Sequence, residues 1–154
     1  MNSDKILNIG VICLDAGEAA TITGHISAIT EGSRHHSVVL PVWPSNSLLD
    51  IDLGLFDALI IHYTIVVKDH TFLIQSARER IAKFAGLKVA FIQDEYRFIN
   101  ATIDAPRELR IGLLFTCVPE PEIQKVYSAQ RLPGMRALNV LTGYVPENLV
   151  QLEV

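Results

Sequence analysis

The stretch FIQDEYRF, residues 91–98, starts as an apolar strand and ends in a crowd of ionisable and hydrogen-bonding groups. Gln93, Asp94, Glu95, Tyr96 and Arg97 follow one another without a gap. Two acids and an arginine in so little chain suit a metal site, an acid–base pair, a sugar-binding cluster, or an internal salt bridge that only shapes a loop. Neighbouring side chains on extended backbone point to opposite sides, so Asp94 and Glu95 are not expected to act on one atom. Pairing of one of them with Arg97 is the simplest internal arrangement.

Two more places offer chemistry. His62 in ALIIHYTI lies at the predicted end of a strand with Tyr63 beside it. It is either an acid–base group lining a cleft or a histidine satisfied by backbone at a strand end. Thr116 in TCVPEPE ends another strand and is placed to face the same cleft, while Glu120 and Glu122 suit the start of a helix. His35 and His36, with the single Trp43, read as a solvated pair and not as metal ligands. The loop LDAGEAATITG holds one glycine, Gly17, between Asp15 and Glu18. A dinucleotide site needs several glycines there, and two acids repel a pyrophosphate, so an NAD or FAD site is rejected. There is no P-loop sequence, and neither a cofactor nor a resident metal is expected.

The elements that must carry these residues are legible as runs. ILNIGVICL (6–14), HSVVLPVW (36–43), FDALIIHYTI (56–65), LKVAFIQ (87–93), GLLFTCV (112–118) and ALNVLTG (137–143) predict strands. Their near-continuous apolar character fits a sheet covered on both faces. Ala19, Ile22, Ile26 and Ile29 mark one helix face, with Gly32 as its stop. A second helix is expected from an Asp69 N-cap, with Leu73, Ala77, Ile81 and Phe84 inward and Arg78, Glu79, Arg80 and Lys83 largely on the wet side. TIDAPRELR is a weaker helix with Pro106 allowed in its first turn, and PEPEIQKVYSAQR opens a fourth. PSNSLLDIDLG reads as a loop carrying one turn.

Strands alternating with helices imply right-handed βαβ units. The expected fold is α/β: a Rossmann-like, doubly wound, mainly parallel sheet of about six strands with helices on both faces. Ligands of such sheets bind beyond the carboxyl ends of the strands, where the chemistry-bearing residues fall. The 154 residues suffice for one domain and one sizeable core. The net charge of −4 with scattered Lys and Arg argues against nucleic acid as a partner. The N-terminus lacks signal-peptide features and no apolar run is long enough to span a bilayer, so a cytoplasmic protein is expected. Cys13 and Cys117 lie in apolar stretches and read as buried thiols.

Taken together, DALIIHYTI, KVAFIQDEYRFIN and LTGYVPENL resemble the N-terminal half of bacterial glycosyltransferases of the two-domain GT-B type, the broad group labelled glycosyltransferase family 1 or 4. The resemblance runs over residues 55–150, with FIQDEYR its most distinctive piece; earlier residues match only as a generic βαβ start. It implies that residues 1–148 are a Rossmann-like acceptor-side domain and that 149–154 begin the connection to a donor-binding domain. By the same resemblance, His62 and Asp94 are candidate catalytic residues. Gly17, Tyr63, Gln93, Glu95, Tyr96, Arg97 and Thr116 are candidate substrate-binding residues. The implied partners are a nucleotide-sugar donor held by that missing domain and a carbohydrate or other small acceptor. The chain alone is then expected to lack transferase activity, and an uncovered interdomain face makes self-association plausible. The alternative from the residues is a non-enzymatic receiver- or flavodoxin-like interaction module. That alternative is weakened by His62 standing where a receiver needs an aspartate.

Overall fold

A computed structural model of the chain describes residues 5–14, 19–42, 48 and 50–141. Their elements run β1 (Asn8–Cys13), α1 (Ala20–Glu31), β2 (His36–Pro41), β3 (Ala58–Ile61), α2 (Gln75–Lys83), β4 (Leu87–Phe91), α3 (Ile99–Leu109), β5 (Leu113–Thr116), α4 (Glu120–Val126) and β6 (Arg136–Asn139). A 3-10 turn at Leu53–Leu55, capped by Asp52 accepting from the Gly54 amide, is the turn expected between β2 and β3.

All six strands are parallel, in the order β2-β1-β3-β4-β5-β6. The fold is the expected Rossmann-like, doubly wound α/β sheet, in the variant order that begins 2-1-3. Alternation along each strand sends its residues into two cores. Ile12, Leu59, Ile61, Ala90 and Leu114 join Ala77 and Ile81 of α2, Ile103 and Leu109 of α3 and Ile123 of α4. Ile9, Val11 and Ala58 face the other way, against Ile29 of α1. Burying one such Ile or Leu stabilises the fold by about 1.5–3 kcal/mol, which is why the apolar runs are nearly continuous. Gly10 of β1 admits close packing: a Cβ there would lie 2.9 Å from side-chain carbons of both Leu40 and Leu59. Among the described residues no helix is long and apolar enough to cross a membrane.

Three local expectations are corrected. Asp69 does not cap α2; its Oδ1 accepts from the amide and hydroxyl of Thr71, both at 2.8 Å, and the helix starts at Gln75. That short side-chain turn competes with helix initiation, and it wins here. Arg78 is not on the wet face but 1% exposed. Its Nε and Nη2 donate to the Glu108 carboxylate at 2.8 and 2.6 Å, and its Nη1 to the Val67 carbonyl at 2.7 Å. A bidentate carboxylate partner is what makes burial of a guanidinium tolerable. Finally, α3 begins at Ile99, so Pro106 lies in its interior and one helix hydrogen bond is forgone there.

The two edges of the sheet differ. His35 and His36 lie at the amino end of the β1–β2 pair, where the Leu7 amide donates to Nδ1 of His35. The chain leaving β3, β4 and β5 emerges at the opposite, carboxyl edge.

Candidate functional site at the carboxyl edge

Two stretches build the main cleft: Tyr63–His70 after β3, and Gln93–Phe98 after β4 with Ala101 of α3. They enclose about 610 Å³. Lys68, Asp69, His70, Gln93, Asp94 and Arg97 supply its polar lining, and the Tyr63 and Phe98 rings its aromatic walls. A second cavity of about 430 Å³ shares Gln93 and Asp94 as a common wall and is lined beyond them by Glu95, Tyr96, Ile99, Cys117, Val118 and Val126.

The loop between β4 and α3 is held in an unusual shape. Asp94 has φ 55° and Phe98 φ 57°, both left-handed. Aspartate tolerates that region, but a bulky aromatic does not, and such a residue costs about 1–3 kcal/mol. Lys68 opposes the strain: its Nζ donates to the Arg97 carbonyl at 2.7 Å, the Thr102 hydroxyl at 3.3 Å and the Asp94 carbonyl at 3.5 Å. The ammonium also lies 5.9 Å from the centre of the Phe98 ring. The donors of Lys68 are thus spent on shaping the cleft, and Arg78 anchors the same lysine-bearing loop from below through Val67.

Asp94 opens to solvent and Glu95 turns inward, on backbone that is left-handed at Asp94 and not extended. Glu95 is 8% exposed and turned inward. Its Oε1 accepts from the Thr116 hydroxyl and, at 2.8 Å, from the Tyr127 hydroxyl, while Oε2 accepts from the Cys117 amide at 3.1 Å. Burial first, and the Glu95 carboxylate second, push the Tyr127 phenol above its ordinary value, so Tyr127 stays a donor. Thr116 is fully buried and also accepts from the Val118 amide at 3.1 Å. Glu95 and Thr116 therefore form an internal brace linking the β4 and β5 loops and α4, beneath the two cavities. Among the described residues Arg97 pairs with neither acid, contrary to the simplest expectation. Glu95 has its oxygens occupied, and the Arg97 guanidinium lies beside the Phe98 ring, 5.9 Å from its centre. The side chains of Gln93, Asp94 and Arg97 have no hydrogen-bond partner among the described residues.

His62 follows β3 directly and is fully buried. Its Nδ1 lies 3.2 Å from the Thr64 amide, which can only donate, and 3.0 Å from the Thr64 hydroxyl. Nδ1 is thus the acceptor, the hydrogen sits on Nε2, and it is donated to Nδ1 of His25 across 2.8 Å. Thr64 is fixed in turn by the Leu14 amide, 3.1 Å from its hydroxyl. Burial, then the adjacent His25, bring His62 from 6.5 down to about 4; burial alone lowers His25. Both rings lie behind Tyr63, with ring centres 4.0 and 5.3 Å from it. The His62 amide donates to the Ile12 carbonyl at the end of β1 at 2.9 Å, and the His25 ring packs edge-on against Phe91 of β4 with ring centres 5.3 Å apart, while the open volume lies between the β3 and β4 loops.

Of the residues singled out from sequence, Tyr63, Gln93, Asp94 and Arg97 line the first cleft and Tyr96 the second, 76% exposed. His62, Glu95 and Thr116 stand behind them in buried networks. Gly17, Trp43 and the segment GYVPENL lie outside the described residues. Glu120 and Glu122 occupy the first turn of α4, where Glu122 pairs with Lys125 at 2.7 Å. Sequence reasoning missed Lys68, His70, Phe98 and His25. Of these, His25 was detectable, because it falls in phase with Ile22, Ile26 and Ile29 on the inward face of α1. Among the described residues no three or more His, Cys, Asp or Glu come together as a metal-holding group. No protein-family model, no curated protein and no solved structure matches the chain.

Proposed function

We propose that the cleft binds a carbohydrate, and that the chain is the acceptor-side lobe of a nucleotide-sugar-dependent glycosyltransferase of the two-domain GT-B type. One observation carries this reading. The carboxylate of Asp94, the amide of Gln93 and the guanidinium of Arg97, none hydrogen-bonded elsewhere among the described residues, surround a single cleft walled by Tyr63 and Phe98. Planar groups with two acceptors or two donors match adjacent sugar hydroxyls, and aromatic faces pack on the apolar face of a pyranose. The volume suits a small ligand.

In this reading Asp94 is the catalytic base. An acceptor hydroxyl attacks the anomeric carbon of the donor, the bond from that carbon to the diphosphate oxygen breaks, and the hydroxyl proton passes to the Asp94 carboxylate. Arg97 and Gln93 orient the acceptor. His62 does not touch it; through His25 and Tyr63 it is a positioning residue. The donor diphosphate is held by a second lobe, which would cover the exposed Tyr96 and Phe98. A flavodoxin-like reading gains from the 2-1-3-4-5 order of the first five strands but loses from His62 and Thr64, which bond to Ile12 and Leu14 at the β1/β3 junction where such folds hold their flavin.

The test is an amide-resolved NMR titration of the chain with methyl glycosides of glucose, galactose and mannose. Saturable shifts confined to residues 63–70, 93–98 and 101, lost in Asp94→Asn with the remaining spectrum unchanged, are the expected result. Absence of saturable shifts with all three sugars, or shifts that ignore the substitution, would overturn the reading.

A further inference from the structure

The two cavities differ in what they offer once their internal bonds are subtracted. The first keeps Asp94, Gln93, Arg97 and His70 for a ligand. The second shares Gln93 and Asp94 at its edge, but beyond that wall Glu95 is the only charged lining residue among the described residues. Both Glu95 oxygens are already occupied by Thr116, Tyr127 and the Cys117 amide. What remains is the surface of Ile99, Val118 and Val126 with the Tyr96 ring and Cys117. A second sugar ring there would surrender water from its hydroxyls and find few partners, an exchange that costs free energy. An alkyl or aryl group gives up no hydrogen bonds on entering and gains from burial.

We infer that the ligand has two parts: a sugar in the first cleft and an apolar substituent that crosses the Gln93–Asp94 wall into the second. The acceptor class is therefore an alkyl or aryl glycoside, a glycolipid-like molecule, and not a free oligosaccharide. This rests on the carbohydrate reading of the first cleft. It adds a selectivity that the first cleft does not require.

Methyl, hexyl and phenyl β-D-glucopyranosides and β-D-galactopyranosides, the hexyl forms kept below micelle formation, test it by amide-resolved NMR titration. Each methylene buried is worth roughly a four-fold gain in affinity. Hexyl or phenyl glycosides should therefore bind at least about ten-fold more tightly than the methyl glycoside, with their additional shifts at Ile99, Val118 and Val126. Ile99→Asp, which places a charge in the second cavity and suits the first turn of a helix, should reduce that preference to about two-fold while leaving methyl glycoside binding unchanged. Val118→Thr, of nearly equal size, should weaken the preference partially. Equal affinities for methyl and hexyl forms, a preference that survives Ile99→Asp, or additional shifts scattered away from the second cavity would each overturn the two-part ligand while leaving a sugar site standing. Failure of every glycoside to bind would overturn both.

Discussion

Nδ1 of His25 and Nε2 of His62 stand 2.8 Å apart with one hydrogen between them, and no nitrogen of either ring can take another proton without breaking a bond. Nδ1 of His62 already faces the Thr64 amide at 3.2 Å, and His25 carries its hydrogen on Nε2. An added proton must separate the rings or displace the Thr64 turn that bears on the cleft.

Stability should therefore fall between neutral and mildly acidic pH. His62 is brought from 6.5 to about 4, so between those values the unfolded chain binds the proton and the folded chain does not. The contribution is complete above pH 6.5 and is lost as pH falls through 4; it amounts to on the order of 3 kcal/mol in all, and about 2 kcal/mol by pH 5. The lowered carboxylates Asp57, Asp69 and Glu108 start from ordinary values of 3.8, 3.8 and 4.5, so their losses come at more acidic pH. Urea denaturation at intervals from pH 7.5 to 5 should show this slope in the native sequence and a flatter one in His62→Gln, where the burial-lowered His25 is the remaining contributor of the pair. A flat profile in the native sequence would rule out the paired neutral rings.

The Glu95 brace leads to a second expectation. Glu95→Ala leaves the Thr116 and Tyr127 hydroxyls and the Cys117 amide without their acceptor, at about 1–3 kcal/mol for each buried group unmet. A loss of at least about 3 kcal/mol is expected. Glu95→Gln should cost clearly less, because its carbonyl can meet the Cys117 amide while the two hydroxyls rotate to accept from its NH₂ group. If Glu95 instead contacted ligand, Glu95→Gln would weaken glycoside binding while leaving the urea midpoint alone. The brace requires the reverse.

The elements were legible in sequence because burial on both faces of a parallel sheet imposes long apolar runs, and the ends of those runs located the cleft. Less legible was which polar residue turns inward. Asp94 and Glu95 are neighbours of the same charge, and their division into one open and one buried acid is decided by Tyr127, 32 residues downstream. Arg78 looked solvated because its partner Glu108 lies on another helix. Asp69 looked like a cap because a cap and a short side-chain turn use the same oxygen. His25 is a polar residue in phase with Ile22, Ile26 and Ile29, and its inward place depends on a partner from another element, His62. The Glu95–Tyr127 and Arg78–Glu108 contacts join distant parts of the chain, and local periodicity carries no information about them.

Phe98 separates stability from binding. Its left-handed backbone costs about 1–3 kcal/mol, yet its ring is 72% exposed and returns little by burial. The cation–ring contacts from Lys68 and Arg97, both at 5.9 Å, are near the outer limit of reach and worth about 0.5–1 kcal/mol each at an exposed site. Asparagine adopts the left-handed region readily. Strain relief and lost ring contacts then nearly balance, and Phe98→Asn should match or exceed the native sequence in stability by up to about 1 kcal/mol. The same substitution removes one aromatic wall of the cleft and should weaken methyl glycoside binding several-fold. Parallel urea and titration measurements decide the matter. A large loss of stability would make Phe98 a packing residue. Unchanged affinity would leave the strain without a function at this site, because a loop that merely joined β4 to α3 would have relaxed to a residue at ease in that conformation.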